Sequence, residues 1–147
     1  MRRFQFRLQS ILDLRKHEEE QQRLELGVAT SRCERIRQEI SERDSQRRQV
    51  LATRPDEVSA DDVAWRAASD AYAFRLKTEV ARLNEQLRDA EAERAIAAER
   101  YQAAKQKADV LGKLRERRET AHRGEIKREE QHRLDEASQY AFSRGGS

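Results

Sequence analysis

The chain has 147 residues, which is enough for one domain by length alone. Charged residues make up 40% of it, yet 31 Lys and Arg against 28 Asp and Glu leave a formal net charge of only +3. Leu, Ile, Val and Phe together supply 27 residues, which is little for a globular core, because burial of apolar surface must offset the conformational entropy lost on folding. Ala, Glu, Lys, Leu and Arg supply 82 residues, a composition typical of long helices and coiled coils that argues against a compact globular enzyme.

The first predicted element is a helix over about residues 4–53. Between residues 26 and 50 a series of positions follows alternating steps of three and four, which is the spacing of a heptad seam. These positions are Leu26, Ala29, Cys33, Ile36, Ile40, Arg43, Arg47 and Val50. Cys33 is the single cysteine, so an intrachain disulfide and a multi-cysteine zinc site are excluded, and its place on the seam favours a small buried thiol.

A turn is predicted at about residues 54–59. Pro55 disfavours helical geometry at the residue before it, and Ser59 with Asp62 forms a capping box for a second helix. That helix is predicted over about residues 60–142, because no strong break follows until the Gly-containing end. Residues 143–147 are expected to form a disordered tail.

The second helix has its own seam, with many alanines that would let two helices approach closely. Its positions are Val80, Leu83, Leu87, Ala90, Arg94, Ala97, Tyr101, Ala104, Ala108 and Leu111. Neither helix can bury its apolar stripe alone, so the sequence predicts an all-α fold, a long two-helix antiparallel coiled-coil hairpin. Pairing around the turn would place residue i opposite about residue 113 minus i, so that Phe4 lies near Asp109. The second helix would then overhang from Leu111 to Phe142 with no internal partner.

A search for chemistry predicts no catalytic, cofactor or metal site. The chain has neither a G-x-x-x-x-G-K nor a G-x-G-x-x-G phosphate loop, so we expect no direct nucleotide binding. Two E-x-x-H pairs, Glu119 with His122 and Glu129 with His132, have the helical spacing of di-iron sites. Both pairs lie on one predicted helix, however, where that site needs several helices. We interpret them as solvated faces, and we do not expect an enzyme.

Two surface features leave alternatives open. Between Lys113 and Arg133 there are eight Lys and Arg against five Glu, which fits a solvated helix, a helix docked on an acidic or polar protein surface, or a nucleic-acid-binding helix. The interspersed glutamates and the lack of interleaved aromatics argue against nucleic acid as a partner. Trp65 and Tyr72 either close the core at the hairpin tip or form a patch for a partner.

The chain opens with Met-Arg-Arg, but no apolar segment of signal-peptide type follows. Apolar runs are four residues or fewer, as at 95–98, far short of the roughly 18 to 20 residues that span a bilayer. We therefore expect a cytoplasmic location, without excluding a role at the membrane surface.

Each end of the chain carries a distinctive pattern of residues. The N-terminal pattern consists of Phe4, Phe6, Arg7, Leu8, Ile11, Leu12, Asp13, Leu14, Arg15, Lys16 and Glu19. The C-terminal pattern consists of Leu111, Lys113, Leu114, Arg115, Glu116, Arg117 and Arg118, then Arg128, Glu129, Glu130, Gln131, Leu134, Asp135, Glu136 and Phe142. Both patterns resemble those of the flagellar export protein FliJ family, and length, helix content and hairpin order agree over the whole chain.

The resemblance implies a non-catalytic stalk similar to the central subunit of rotary ATPases. Proteins of this family insert their paired termini into the hexameric ring of the export ATPase, FliI, and promote its assembly and activity. They also reach the export gate protein, FlhA, and engage substrate chaperones. The implied location is the cytoplasm, with peripheral association to the inner-membrane export apparatus.

The resemblance also implies two sets of site residues. The ring-facing set is Phe4, Phe6, Leu8, Ile11, Leu12, Arg15, Arg117, Arg118, Arg128, Gln131 and Leu134. The gate-facing set is Tyr72, Leu76 and Leu83; the first two match the family in type, whereas Glu79 and Leu83 differ from the small residue and the histidine of some members. A generic coiled-coil scaffold or chaperone, and the equivalent stalk of a virulence-type secretion system, remain alternatives.

Overall fold

A computed structural model describes residues 2–53 and 60–146, and the regular structure within them is α-helical throughout. Helix α1 spans Gln9–Ala52 and helix α2 spans Ala60–Gly145. The two long helices pack against each other, which confirms the predicted all-α two-helix fold class. Pro55 and the Ser59 side of the capping box lie outside the described residues. Among the residues that are described, no helix carries an apolar stretch long enough to cross a membrane.

The chain divides into two compact units. Unit 1 comprises Met1–Glu19 and Ala103–Ser147, and unit 2 comprises Glu20–Gln102. Each unit therefore contains a piece of α1 and a piece of α2. We describe each unit by itself.

In unit 2 the two helices meet along one narrow apolar seam. Its buried cluster consists of Cys33, Ile36, Leu83 and Ala90, with Ile40 and Leu87 packed against it. Buried and half-buried positions of α1 follow the heptad from Leu26 to Val50, as the spacing predicts. On α2, Arg94 departs from the predicted seam. It occupies a seam position, but its long cationic side chain is exposed.

Ion pairs flank this seam and show that the helices run antiparallel. They join Arg43 Nε to Glu79 Oε2 at 2.9 Å, Arg37 Nη2 to Glu91 Oε1 at 2.9 Å, and Arg32 Nη1 to Glu93 Oε2 at 2.7 Å. The partner numbers rise on α2 as they fall on α1. Exposed pairs of this kind contribute at most about 1 kcal/mol each, so their main effect is to favour one alignment of the helices.

The register differs from the one that the sequence predicted. Residue 70 was expected opposite Arg43, but Arg43 pairs with Glu79, nine residues further along α2. That expectation assumed that the two helices pair symmetrically on either side of the connection between them. Arg43 lies nine residues before the end of α1, whereas Glu79 lies nineteen residues after the start of α2. Apolar packing, which brings Cys33 and Ile36 together with Leu83 and Ala90, sets the register instead.

Unit 1 begins with a non-helical segment, residues 2–8, where the prediction had a helix from about residue 4. The backbone N–H of Gln9 donates to the carbonyl of Phe6 at 3.1 Å, which marks the entry to α1. The side chains of Phe6 and Leu12 are buried, as are Ala104 and Ala108 of α2. At the other end α2 continues to Gly145, so the expected tail is helical from residue 143 to residue 145.

Replacement of Ala90 by Leu tests whether a small seam residue sets the helix spacing. Ala90 is buried, and its methyl side chain leaves no room for three more carbons, so we expect the free energy of unfolding to fall by about 1–3 kcal/mol. Urea unfolding followed by far-UV circular dichroism measures the change. Ala95→Leu, at an exposed position of the same helix, is the matched control and should change stability by less than about 0.5 kcal/mol. Equal effects of the two substitutions would contradict the packing.

Candidate functional site

In unit 1 the non-helical segment of residues 2–8 lies along α2. The Phe4 ring packs against the ring of His122, with centroids 5.6 Å apart and planes tilted by 46°. The Arg115 guanidinium carbon lies 5.6 Å from the centre of the Phe4 ring, a cation–π contact. Arg115 Nε also donates to Gln9 Oε1 at 2.8 Å, so this one side chain joins the segment to the first turn of α1.

Two further contacts extend the segment along α2. His122 Nε2 donates to the backbone carbonyl of Arg2 at 3.0 Å, and Arg2 Nη2 forms an ion pair with Glu129 Oε1 at 2.6 Å. The expected register placed Phe4 near Asp109, but Phe4 lies at His122, thirteen residues or about 20 Å further along the helix. We call residues 2–8 with these contacts the N-terminal clasp.

The clasp shortens the unpaired part of α2. We expected an overhang from Leu111 to Phe142, but residues 2–9 cover part of α2 as far as Glu129. Every residue from Lys127 to Gly146 is exposed, including Glu129, which Arg2 reaches. Three large apolar side chains are among them: Leu134 is 63% exposed, Tyr140 61% and Phe142 85%. We call residues 127–146 the terminal helix segment.

All residues of the predicted ring-facing set lie in unit 1, but their accessibility differs. Phe6 and Leu12 are buried, and Phe4, Leu8 and Arg15 are half-buried. Ile11, Arg117, Arg118, Arg128, Gln131 and Leu134 are exposed. Phe6 and Leu12 therefore belong to the core of the unit, and the exposed members are accessible on its surface.

Unit 1 is the more basic of the two units. It carries sixteen Lys and Arg against eleven Asp and Glu, whereas unit 2 carries fifteen against seventeen. Glu119 accepts from both Arg115 and Arg123, at 3.3 and 3.1 Å, so two cations share one carboxylate. Within residues 2–53 and 60–146, Arg117 and Arg118 have no ion-pair partner. Their charge is therefore available to an acidic surface.

The predicted gate-facing residues lie in unit 2 and are split by burial. Tyr72 is 38% exposed, and the Arg75 guanidinium lies 5.6 Å from its ring centroid. Leu76 and Leu83 are buried, with 3% and 5% of their surface exposed, so in the free protein they pack in the interior of the unit. Phe74 is 71% exposed and projects about 200° around the helix from Tyr72.

The two E-x-x-H pairs are engaged in other contacts. Glu119 and His122 bind arginines and the clasp, as described above, and Glu129 binds Arg2. His132 Nδ1 lies 3.2 Å from Glu136 Oε1 on the same helix. In the described part of the chain no group of three or more His, Cys, Asp and Glu side chains is placed to hold a metal ion.

Sequence reasoning missed the clasp. The residues that hold it, Arg115 and His122, belong to a stretch whose charges look solvated in the sequence. The available signal was the pair of phenylalanines at positions 4 and 6, which begin an apolar patch that continues with Leu8, Ile11 and Leu12. Their partners on α2 depend on the register, which the sequence did not determine.

Arg115→Ala should loosen the clasp. The change removes the cation–π contact to Phe4 and the hydrogen bond to Gln9, which together stabilise the closed segment by about 1 kcal/mol, so opening should become about fivefold more frequent. Limited trypsin digestion with mass spectrometry, following cleavage after Arg3 and Arg7, measures this opening. Arg117→Ala, on the same turn of α2 but without a contact to the clasp, should cleave at the wild-type rate. If the two variants are cut equally fast, Arg115 does not hold the segment.

Comparison with known proteins adds a finding that agrees with this architecture. The family described as Flagellar FliJ protein matches residues 4–147, which is nearly the whole chain. The match includes the clasp from Phe4 onward, both helices and the terminal helix segment. No curated protein and no solved structure shows significant similarity. Because a two-helix protein with these features matches the family over almost its entire length, the chain belongs to the flagellar FliJ family.

Proposed function

We propose that this protein is the non-catalytic stalk of the flagellar type III export apparatus. In this role it binds the hexameric ring of the export ATPase, FliI, promotes the ring's assembly and activity, and links it to the export gate protein, FlhA, and to substrate chaperones. The family supports a part in flagellar export, and the finer roles are our proposal. The protein would act in the cytoplasm, peripherally associated with the inner-membrane export apparatus.

The terminal helix segment is the observation that carries the proposal. All residues from 127 to 146 are exposed, although Leu134, Tyr140 and Phe142 are large and apolar. A helix of this length with no packed face gains little from tertiary contacts within its own chain. Single exposed apolar residues are common on proteins, but three large ones within nine residues of an unpacked helix favour a surface that a partner protein covers.

The mechanism we propose is coupling without catalysis. A ring that closes around unit 1 would contact the exposed ring-facing residues, which are Ile11, Arg117, Arg118, Arg128, Gln131 and Leu134. A ligand that binds the assembled ring more tightly than the free subunits shifts the population towards the ring by its differential affinity. Charge-rich contacts of this kind weaken as salt is raised, which would permit repeated binding and release.

ATP turnover by the export ATPase tests the ring proposal. We expect the wild-type protein to stimulate turnover, and we expect the double variant Arg128→Glu, Leu134→Asp to raise the concentration for half-maximal stimulation by about tenfold or more. Both positions are exposed, so the variant should fold normally. Ile96→Asp, at an exposed apolar position of unit 2, is the matched control and should stimulate like the wild type.

Three results would count against the proposal. Stimulation that survives the double change would remove the terminal helix segment from the ring contact. Absence of stimulation by the wild type, together with no co-sedimentation with the ring, would favour a generic coiled-coil scaffold or chaperone. Equal stimulation of flagellar and virulence-type export ATPases would fail to support a specifically flagellar stalk.

The gate contact, as we propose it, depends on Tyr72 and not on the two leucines, because only Tyr72 is exposed. Tyr72→Ala should weaken binding to the export gate protein by about tenfold, measured by titration calorimetry. Phe74→Ala, which removes a more exposed aromatic from a different side of the same helix, is the control and should bind normally. Leu83→Ala should mainly lower the melting temperature, because Leu83 lies in the buried cluster. The gate proposal would be overturned by weaker binding in the Phe74 variant alone.

A further inference from the structure

One groove of unit 1 combines an apolar floor with a cationic edge. It has a volume of about 480 Å3 and lies between the start of α1 and the stretch of α2 that follows Gln102. Its apolar lining comes from Ile11, Ala103, Val110 and Leu111, and its charged lining from Arg15 and Lys107. Ile11 is 43% exposed and Val110 is 65% exposed, so the floor is open to a partner.

The charges around the groove are unbalanced. Among the described residues that line it, none is acidic. Arg15 is compensated by Glu18, 3.0 Å away, but Lys107 has no ion-pair partner within the described part of the chain. Lys113 and Arg117 follow Val110 by three and seven residues, so they continue the same face of α2. At the positions three, four and seven residues from Val110 this face carries Lys107, Lys113 and Arg117 and no carboxylate, while Asp109 and Glu116 lie to one side, next to Lys113.

The shape of the groove fits a helix. Two helices that pack side by side leave a furrow into which the side chains of a third helix can insert. Ala103 contributes only a methyl group and so leaves space at one end of this furrow, and the distance from Ala103 to Leu111 corresponds to about two helical turns, or 12 Å. Apolar residues of the occupant spaced at i, i+4 and i+7 would cover Ile11 and Val110.

We propose that this groove binds an acidic amphipathic helix of a partner protein. The apolar face of that helix packs on Ile11, Val110 and Leu111, and its flanking Asp or Glu residues pair with Lys107 and the cations that follow it. The inference deepens the proposed function, because Ile11 and Arg15 also belong to the proposed ring-facing set. It states what kind of segment a partner presents to them.

Peptide binding tests the groove in the absence of any ATPase. The probe is a fluorescent, side-chain-stapled helix of about 18 residues with Leu at the i, i+4 and i+7 positions and Glu at the flanks. A second peptide carries Lys in place of every Glu. We expect the full-length protein to bind the acidic peptide, with an affinity that falls as salt is raised, and not to bind the basic one. Equal binding of the two peptides, or no binding of the acidic one, would overturn the proposal.

Two variants with matched controls locate the binding. Val110→Arg should weaken binding of the acidic peptide by about tenfold, and Lys107→Glu by about fivefold. Ile96→Arg and Lys105→Glu make the same chemical changes at exposed positions of α2 that do not line the groove, and both should bind like the wild type. Circular dichroism confirms that each variant is folded. Equal losses in variants and controls would show that the peptide binds elsewhere.

Sedimentation of the protein alone tests whether a second copy of the chain occupies the groove. We expect the peptide-free protein to remain a monomer, with Val110→Arg sedimenting identically. A wild-type dimer that Val110→Arg dissociates would mean that a second copy occupies the groove, which would overturn the proposal. Loss of ATP stimulation with intact peptide binding, or the reverse, separates failure of the proposed function from failure of this inference.

Discussion

Close packing along a single narrow seam is the interaction on which each unit depends. In unit 2 the seam is built from Cys33, Ile36, Leu83 and Ala90, of which two are small. Small side chains bury little area per residue, but they allow the helix backbones to approach, so that dispersion contacts and flanking ion pairs act at short range. Because so few residues are buried, charged groups form most of the surface of α1 and α2.

The clasp in unit 1 is held by a different kind of interaction. Phe6 is buried, but the remaining contacts are a tilted ring pair, a cation–π contact, two hydrogen bonds and one exposed ion pair, each worth about 1 kcal/mol or less. A segment held in this way opens locally far more often than the helices separate. A partner that prefers either the closed or the open clasp would therefore shift the equilibrium at little cost.

Most of the fold could be predicted from the sequence, because heptad spacing can be recognised within one helix without knowing which residues of the other helix it contacts. Buried and half-buried positions follow the seam from Leu26 to Val50 and, apart from Arg94, the second one from Val80 onward, although α2 is also buried before it, at Ser69, Ala73 and Leu76. The register could not be predicted in the same way. Two seams with similar spacing can slide by whole heptads at small cost, and the alignment depends on which apolar side chains fit together, here Cys33 and Ile36 with Leu83 and Ala90.

The error in register propagated into the candidate site. With Phe4 opposite Asp109, the stretch from Leu111 onward looked unpaired; with Phe4 at His122, part of it is covered by the clasp. The same limitation affects the gate-facing leucines. Leu76 matches the family's gate-facing pattern in type and Leu83 occupies another of its positions, but both side chains are buried in the free protein, which residue type alone does not reveal.

The division between buried and exposed apolar residues explains why a thin seam suits a protein that works through its surface. Had Ile11, Val110 and Leu134 been buried in a thicker core, unit 1 would be more stable but would offer a partner fewer apolar side chains. Charged contacts alone orient an encounter and set its rate, whereas desolvated apolar anchors supply most of the affinity. The exposed residues of unit 1 combine both kinds, with cations such as Arg117 and Lys107 near apolar side chains that nothing within the described chain covers completely. That combination permits fast, salt-sensitive association together with affinity that a purely charged helix would lack.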